Sequence, residues 1–235
     1  MKKLLYRFLQ IIFIVGITFS AYKIVNWYLD NKKNEKIVYR ISKYINVEDK
    51  KTTVDFDELK KVNDEIIGYL IVNNVNVNYP VVKHSDNEYY LSHNLEKQRN
   101  SAGWLFLDYR NNLKDKNMII YGHNMKNGSM FGNLNHVLKK DWQENVDNQK
   151  ITFITENKEY TYQVFSTYRI EAEDYYITTN FTSDDEYIKF LNQIKNRSNY
   201  DYNIELDKDD KILTLSTCSN SNYRVVLHAK LIGED

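Results

Sequence analysis

The chain has 235 residues, 42% of them hydrophobic, with 32 basic and 32 acidic side chains and a formal net charge of zero. That balance offers no basic field for nucleic acid, and the length suits one good-sized domain with an appendage. A single cysteine excludes an intramolecular disulfide and any zinc or iron-sulfur site built on cysteine pairs.

Lys2, Lys3 and Arg7 precede an apolar run from Phe8 to Tyr22 that continues through Ile24, Val25, Trp27 and Leu29. As a helix, Phe8 to Leu29 spans roughly 30 Å, the thickness of a bilayer core, and Trp27 and Tyr28 suit its interface. A signal peptide is the rival reading. Ser20 and Ala21 are followed by the bulky Tyr22, so no small-x-small cleavage site is present, which favours an uncleaved single-pass anchor over residues 1–30. Lys23, Lys32, Lys33 and Lys36 on the far side weaken the positive-inside bias; the expected orientation still places the C-terminal part outside the cell.

Residues 31–49 carry Ile37, Ile41, Tyr44 and Ile45 at helical spacing, which predicts a helix leading off the membrane. Asp55 with Glu58 three residues on, followed by Phe56, Leu59 and Val62 on one face, predicts a second short helix; together these form a helical lead-in over 31–67. From Gly68 the period changes to two. The runs "GYLIVNNVNVNYPVV", "GWLFLDYR", "KNMIIYGHN", "KITFITENKEYTYQVFSTYRI", "KILTLSTC" and "YRVVLHAKLI" are rich in Tyr, Ile, Val, Thr and Phe, as strands are. Pro80 suits an edge strand or a bulge. One helix interrupts late, capped by Ser183, with Tyr187, Phe190, Leu191 and Ile194 on one face. The pattern predicts a mostly β domain over 68–235 whose short strands close into a barrel.

Cys218 ends the run "KILTLSTC". If that run and "YRVVLHAKLI" form an antiparallel hairpin, Cys218 and Arg224 stand opposite one another, with Cα atoms roughly 4.5–5.5 Å apart. A cation there lowers a thiol's pKa and can donate two hydrogen bonds to an oxyanion. A thiol nucleophile in acyl transfer also needs a proton carrier. His123 follows the strand "NMIIY", with Gly122 before it; His228 pairs with Thr214 in the same hairpin register, roughly 13 Å down the strand and too far for proton transfer. His84, His93 and His136 lie in polar, loop-like contexts. The bland readings remain open on these residues alone: a buried small cysteine, a solvated edge arginine and a Gly-His turn.

At these residues the sequence resembles the sortase family, most closely its class B. The nucleophile strand is matched by "TLSTC" with Arg224 on the next strand, the histidine strand by "IIYGHNM" and the class B continuation by "NGSMFGNL". "YPVV" followed by "DNEYYL", "GWLFLD" and "DEYIKFLNQIKNRSNY" match in family order, and the resemblance runs from Val54 to Ile232. It implies an eight-stranded sortase barrel with N-terminal helices and a helix before the nucleophile strand. It implies Cys218 as nucleophile, His123 as proton donor and acceptor, and Arg224 as stabiliser of the carbonyl and oxyanion. It further implies Asn87, Leu91, Tyr121 and Ser216 in the sorting-signal groove, joined by Tyr176 and Ile177. The implied reaction is cleavage of a C-terminal sorting signal after its threonine, a thioester, and transfer of the surface protein to an amine of peptidoglycan or its lipid-linked precursor. No cofactor is expected, and no cluster of Asp, Glu or His has metal-ligand spacing. Two departures stand out: the connection from Ser219 to Tyr223 is shorter than in many class B members, and Tyr69 stands where tryptophan is common.

Rival functions are a membrane-tethered cysteine hydrolase, in which water resolves the thioester, and a sortase-like binding module with an inert Cys218. An L,D-transpeptidase is disfavoured because "TLSTCSN" is not its His-Gly-Cys type of segment.

Overall fold

The computed structural model describes residues 2–48, 51–218 and 222–235, with the backbone alone at Cys218. Helix α1 runs unbroken from Lys2 to Ile41. Its first part, Leu4 to Leu29, exposes apolar side chains all round, and by length and composition it can cross a membrane. Its last turns differ. Asn31, Asn34, Ile37 and Ile41, spaced three, three and four apart, are buried against the barrel.

The helix expected over 31–49 is corrected here: α1 stops at Ile41, Ser42–Tyr44 makes one 3₁₀ turn, and β1 (Ile45–Glu48) pairs with β2 (Lys51–Val54) from Ile45↔Val54 to Glu48↔Lys51. The helical spacing continued through Tyr44 and Ile45, but the β-branched Ile45, Val47, Thr52, Thr53 and Val54 find cross-strand partners that a helix would deny them. Asp49 lies outside the described residues. Helix α2 (Phe56–Val62) starts where the sequence placed it, with the Asp55 side chain accepting from the Glu58 N–H.

Eight strands follow: β3 (Ile66–Val72), β4 (Val77–Val82), β5 (Phe106–Leu107), β6 (Asn117–His123), β7 (Lys150–Ile154), β8 (Glu159–Glu171), β9 (Ile212–Cys218) and β10 (Tyr223–Glu234). They close in the order β10-β8-β7-β3-β4-β5-β6-β9. All overlap the period-two runs of the sequence, though β3 starts two residues earlier and β8 and β10 end one and two residues later than those runs. Pro80 sits on β4 opposite Tyr69, where the strand's other neighbour, β5, pairs only at Val82↔Phe106. The missing N–H therefore costs no ladder bond on that side, and the Pro80 carbonyl accepts from the Trp104 indole instead.

Strand alternation divides the barrel into two packed layers. Leu213, Leu215, Val225, Leu227 and Ala229 fill the interior, whereas Ile212 and Val226 face outward beneath α4 (Asp184–Asn196), the helix that follows the one-turn α3 (Lys140–Gln143). Ser183 caps α4, and its face of Tyr187, Phe190, Leu191 and Ile194 packs on Phe165, Tyr168 and Ile170 of β8. Each such side chain, fully buried, contributes about 1.5–3 kcal/mol. A register shift between His228 and Ala229 leaves Phe165 as the extra residue of β8, which lets Val164 face inward and Phe165 outward. Thr214 and Ser216 share the outer, α4-facing side with position 218, and it is on this side that the site is built.

Candidate active site

Strands β6 and β9 are parallel neighbours in the register Tyr121↔Ser216, Gly122↔Thr217 and His123↔Cys218. On the other side of β9, β10 is antiparallel, with His228↔Thr214 and Val226↔Ser216. Among the described residues that ladder ends at Val226↔Ser216. His123 and Cys218 thus stand level at the C-terminal ends of β6 and β9, and Arg224 lies near the start of β10, two residues before its Val226↔Ser216 pair with β9. Arg224 is half-buried and donates to the Tyr223 carbonyl at 3.2 Å. The connection through Ser219, Asn220 and Ser221 lies outside the described residues.

His123 is fixed on several sides. Its carbonyl accepts from the N–H groups of Met125 and Phe131 at 3.1 and 2.9 Å. Its Nε2 lies 2.7 Å from the Leu91 carbonyl. A carbonyl only accepts, so Nε2 carries the hydrogen, and the neutral ring presents Nδ1 as its accepting nitrogen. Glycine is required twice nearby. A Cβ on Gly122 would lie 2.8 Å from the Phe131 ring, and one on Gly103, whose φ is +58°, would lie 2.4 Å from the Tyr90 carbonyl and 3.0 Å from the edge of the His123 ring.

His228 occupies a different environment. Fully buried, it sits 2.8 Å from both the Tyr168 hydroxyl and Thr214 Oγ1. Thr214 donates to Asn117 Oδ1, so it accepts from His228 Nδ1, and His228 Nε2 accepts from Tyr168. Burial pushes its pKa down to about 3. Asn117 in turn donates to the Tyr176 and Thr178 carbonyls, so this chain of bonds anchors the segment before α4.

The residues expected in the groove separate into an exposed and a buried set. Asn87 and Ile177 line an open cleft of about 590 Å³, together with Tyr109, Arg110, Asp174 and Thr178. Tyr121, Ser216 and Tyr176 are buried and do not line it, Ser216 only 1% and Tyr176 only 3% exposed, with the Tyr176 hydroxyl 3.0 Å from Ser216 Oγ. Leu91 is half-buried and contributes its carbonyl to His123. Asn87 Oδ1 accepts from the Tyr109 N–H at 2.9 Å.

Two residues escaped the sequence reading. Asp108 is fully buried at the end of β5 and is bonded by Arg110 through Nε and a terminal nitrogen, at 2.9 and 2.7 Å, and by the Tyr121 hydroxyl at 2.9 Å. Burial alone would raise its pKa, but the Arg110 fork, the Arg110 N–H and the Tyr121 hydroxyl outweigh it and hold the carboxyl below its ordinary range. Burial and the Asp108 charge push the Tyr121 hydroxyl far up, so it stays protonated and donating. Arg110 also donates to the Ile177 carbonyl at 3.0 Å. With Tyr121 the register partner of Ser216 and Ser216 bonded to Tyr176, the neighbour of Ile177, these contacts link β5, β6 and β9 to the segment before α4. The available signal was "FLDYR", a carboxylate directly after an apolar strand with an arginine two residues on.

Comparison with known proteins gives the family. The sortase domain family matches residues 70–232. The chain belongs to the sortase family. Sortase B of Listeria monocytogenes is 33% identical, with 98% of each chain covered. The crystal structure of sortase B from Bacillus anthracis superposes with a TM-score of 0.78 at 34% identity, covering 87% of this chain and 99% of that one. The Staphylococcus aureus sortase B–substrate complex superposes at 0.71 with 30% identity, covering 91% and 97%. The closed eight-stranded barrel is thus that of class B, and the protein is a sortase-type cysteine transpeptidase acting on sorting-signal substrates.

Proposed function

We propose that Cys218, His123 and Arg224 carry out the transpeptidation. The observation that supports this most is the pair His123↔Cys218, with Arg224 on the neighbouring β10 two residues from its Val226↔Ser216 pair. Cys218 gives its thiol proton to His123 Nδ1, and its Sγ attacks the carbonyl carbon of the threonine in a C-terminal sorting signal. Arg224 donates to the carbonyl oxygen as it becomes an oxyanion. The C–N bond then breaks, the leaving amine takes a proton from His123, and a thioester remains on Cys218. An amine of peptidoglycan or its lipid-linked precursor attacks the thioester and gives its proton to His123, and the thiolate leaves. The signal lies along Asn87, Leu91 and Ile177, with the buried Tyr121, Ser216 and Tyr176 supporting that surface.

The chain is organised as an anchor over 1–30, a lead-in made of the end of α1, the β1–β2 hairpin and α2, and the catalytic barrel that starts with β3 at Ile66, held outside the cell by a single membrane span. The exposed apolar length of α1 supports that arrangement. Hydrolysis is the outcome when no amine is present.

The test uses the full chain in detergent micelles, short fluorescent peptides differing in sorting motif, a wall-type amine, and Cys218→Ala as control. Cleavage after threonine, with an adduct on Cys218 and an amine-linked product identified by mass, is expected. A folded protein with an alkylation-resistant Cys218 and no product from any peptide would sink the assignment.

A further inference from the structure

The catalytic reading leaves α1 as a tether, yet its last turns are bonded to the loop that seats His123. Asp30 Oδ2 accepts from both the N–H and the hydroxyl of Ser101, at 2.9 and 2.8 Å. The Asn100 amide donates to the Asp30 carbonyl at 2.9 Å and to Asn34 Oδ1 at 3.0 Å. Asn34 Nδ2 donates to the Gly103 carbonyl at 3.3 Å. Asn34 and Asn100 are both buried, so these amides have no water to fall back on.

Gly103 is the residue on which the imidazole rests. It takes a left-handed backbone, and the space where its Cβ would stand is closed by the Tyr90 and Leu91 carbonyls and the edge of His123. The Leu91 carbonyl is also the acceptor for His123 Nε2. Trp104 N–H donates to the Tyr90 carbonyl at 3.0 Å and Asn100 N–H to the Ser92 carbonyl at 2.8 Å, so the two ends of the 90–104 loop are tied to each other. A shift of Gly103 therefore moves the Leu91 carbonyl and the ring together.

We propose that the membrane-proximal end of α1 is a positioning element for catalysis, with Asn34, acting through Gly103, holding the seat that fixes the ring plane and tautomer of His123. The inference rests on His123 being the proton carrier. Asn34 lies five residues beyond Leu29, roughly 7.5 Å along the helix axis. The helix that leaves the apolar segment thus reaches the seat of the imidazole within about two turns of that segment's end.

The test uses the full chain in detergent micelles with Asn34→Ala, Asn34→Asp and the milder Asp30→Ala. Asn34→Asp keeps the acceptor for Asn100 and sets a carboxylate against the Gly103 carbonyl, so it isolates the Gly103 contact. The expected result is a 5- to 20-fold loss of kcat in both Asn34 variants, KM for the peptide within twofold of wild type, and a smaller kcat loss in Asp30→Ala. The ¹⁵N signals of His123 should shift from a single Nε2–H tautomer to a mixture. Wild-type kcat and an unchanged His123 spectrum in Asn34→Asp would overturn the proposal. So would kcat losses in step with a lowered melting temperature and no spectral change. Full activity in His123→Ala would instead sink the catalytic reading, while the spectra of the Asn34 variants would still report on the seat.

Discussion

His123 and Cys218 are register partners on two parallel strands, β6 and β9, so neither can slide along the barrel without the other. Their level is set by the seven paired positions from Asn117↔Ile212 upward, all of which would have to slip together. With Nε2–H committed to Leu91, the neutral imidazole can take a proton only at Nδ1. His123→Ala should lower kcat by about 10²–10⁴-fold, the scale of a lost general acid–base, with a smaller change in KM. Single-turnover peptide assays measure this, and a loss of less than about threefold would remove His123 from the proton transfers.

Arg224→Lys separates charge from geometry. Lysine keeps the cation on the strand facing Cys218 but not the planar fork that presents two donors to one oxygen. The expected loss in kcat is about 10²–10³-fold, the range for losing an oxyanion donor, with KM changed little. Equal activity of the Lys variant would show that only the charge matters at this position.

The Asp108–Arg110 pair should act on substrate binding. Arg110 bridges the buried Asp108 and the Ile177 carbonyl, so its loss frees one wall of the cleft and leaves a carboxylate with fewer partners. Arg110→Ala is expected to raise peptide KM about tenfold, equivalent to about 1.4 kcal/mol, and to lower the melting temperature. Arg110→Lys should recover stability better than KM, because one ammonium cannot span the bidentate pair and Ile177 together. A melting temperature and KM both at wild-type values in Arg110→Ala would show that these contacts do not shape the groove.

What could be read from the sequence follows from how local each interaction is. The strands around Cys218 were legible because "KILTLSTC" and "YRVVLHAKLI" are rich in strand formers and close together in sequence, and the register expected for them, Thr214 with His228, is the one found. The late helix was legible from Ser183 and its apolar face. The β1–β2 hairpin was not, because Tyr44 and Ile45 prolong a helical spacing that the β-branched residues after them override. The Asp108 network and the α1 contact were invisible for another reason: Arg110 reaches a carbonyl 67 residues away, and Asn34 reaches one 69 residues away. No local pattern encodes such a pairing. Asn34 in particular reads as an ordinary polar helix position until the barrel is packed against it.

Gly103→Ala probes the seat directly. An alanine there must hold a positive φ, at a cost of about 1–2 kcal/mol, and its Cβ meets the Tyr90 carbonyl. Since the obstruction is backbone, relief requires the loop to move, and His123 moves with it. The variant should melt several degrees lower and lose at least tenfold in kcat, as read by scanning calorimetry and peptide cleavage. An unshifted melting temperature would show that the loop yields freely.

The buried His228 gives the fold a defined weakness towards acid. Its folded pKa is depressed to about 3 from an ordinary value of 6.5, because burial disfavours the charged ring. Between those values the unfolded chain binds a proton that the folded chain refuses. Stability from this group is therefore complete above about pH 6.5 and declines as the pH falls, by up to about 1.4 kcal/mol per unit. His228→Gln removes the titration while keeping a polar side chain near Tyr168 and Thr214. It should be less stable than wild type at pH 7.5, by about 1–3 kcal/mol for the disturbed bonds. Its melting temperature should then fall less than the wild-type value between pH 7 and pH 5, a window in which ordinary carboxylates stay ionised and the other histidines are common to both proteins. Parallel curves across that window would mean that the folded chain admits the proton at His228, and that the Tyr168–His228–Thr214 chain opens far more easily than its burial implies.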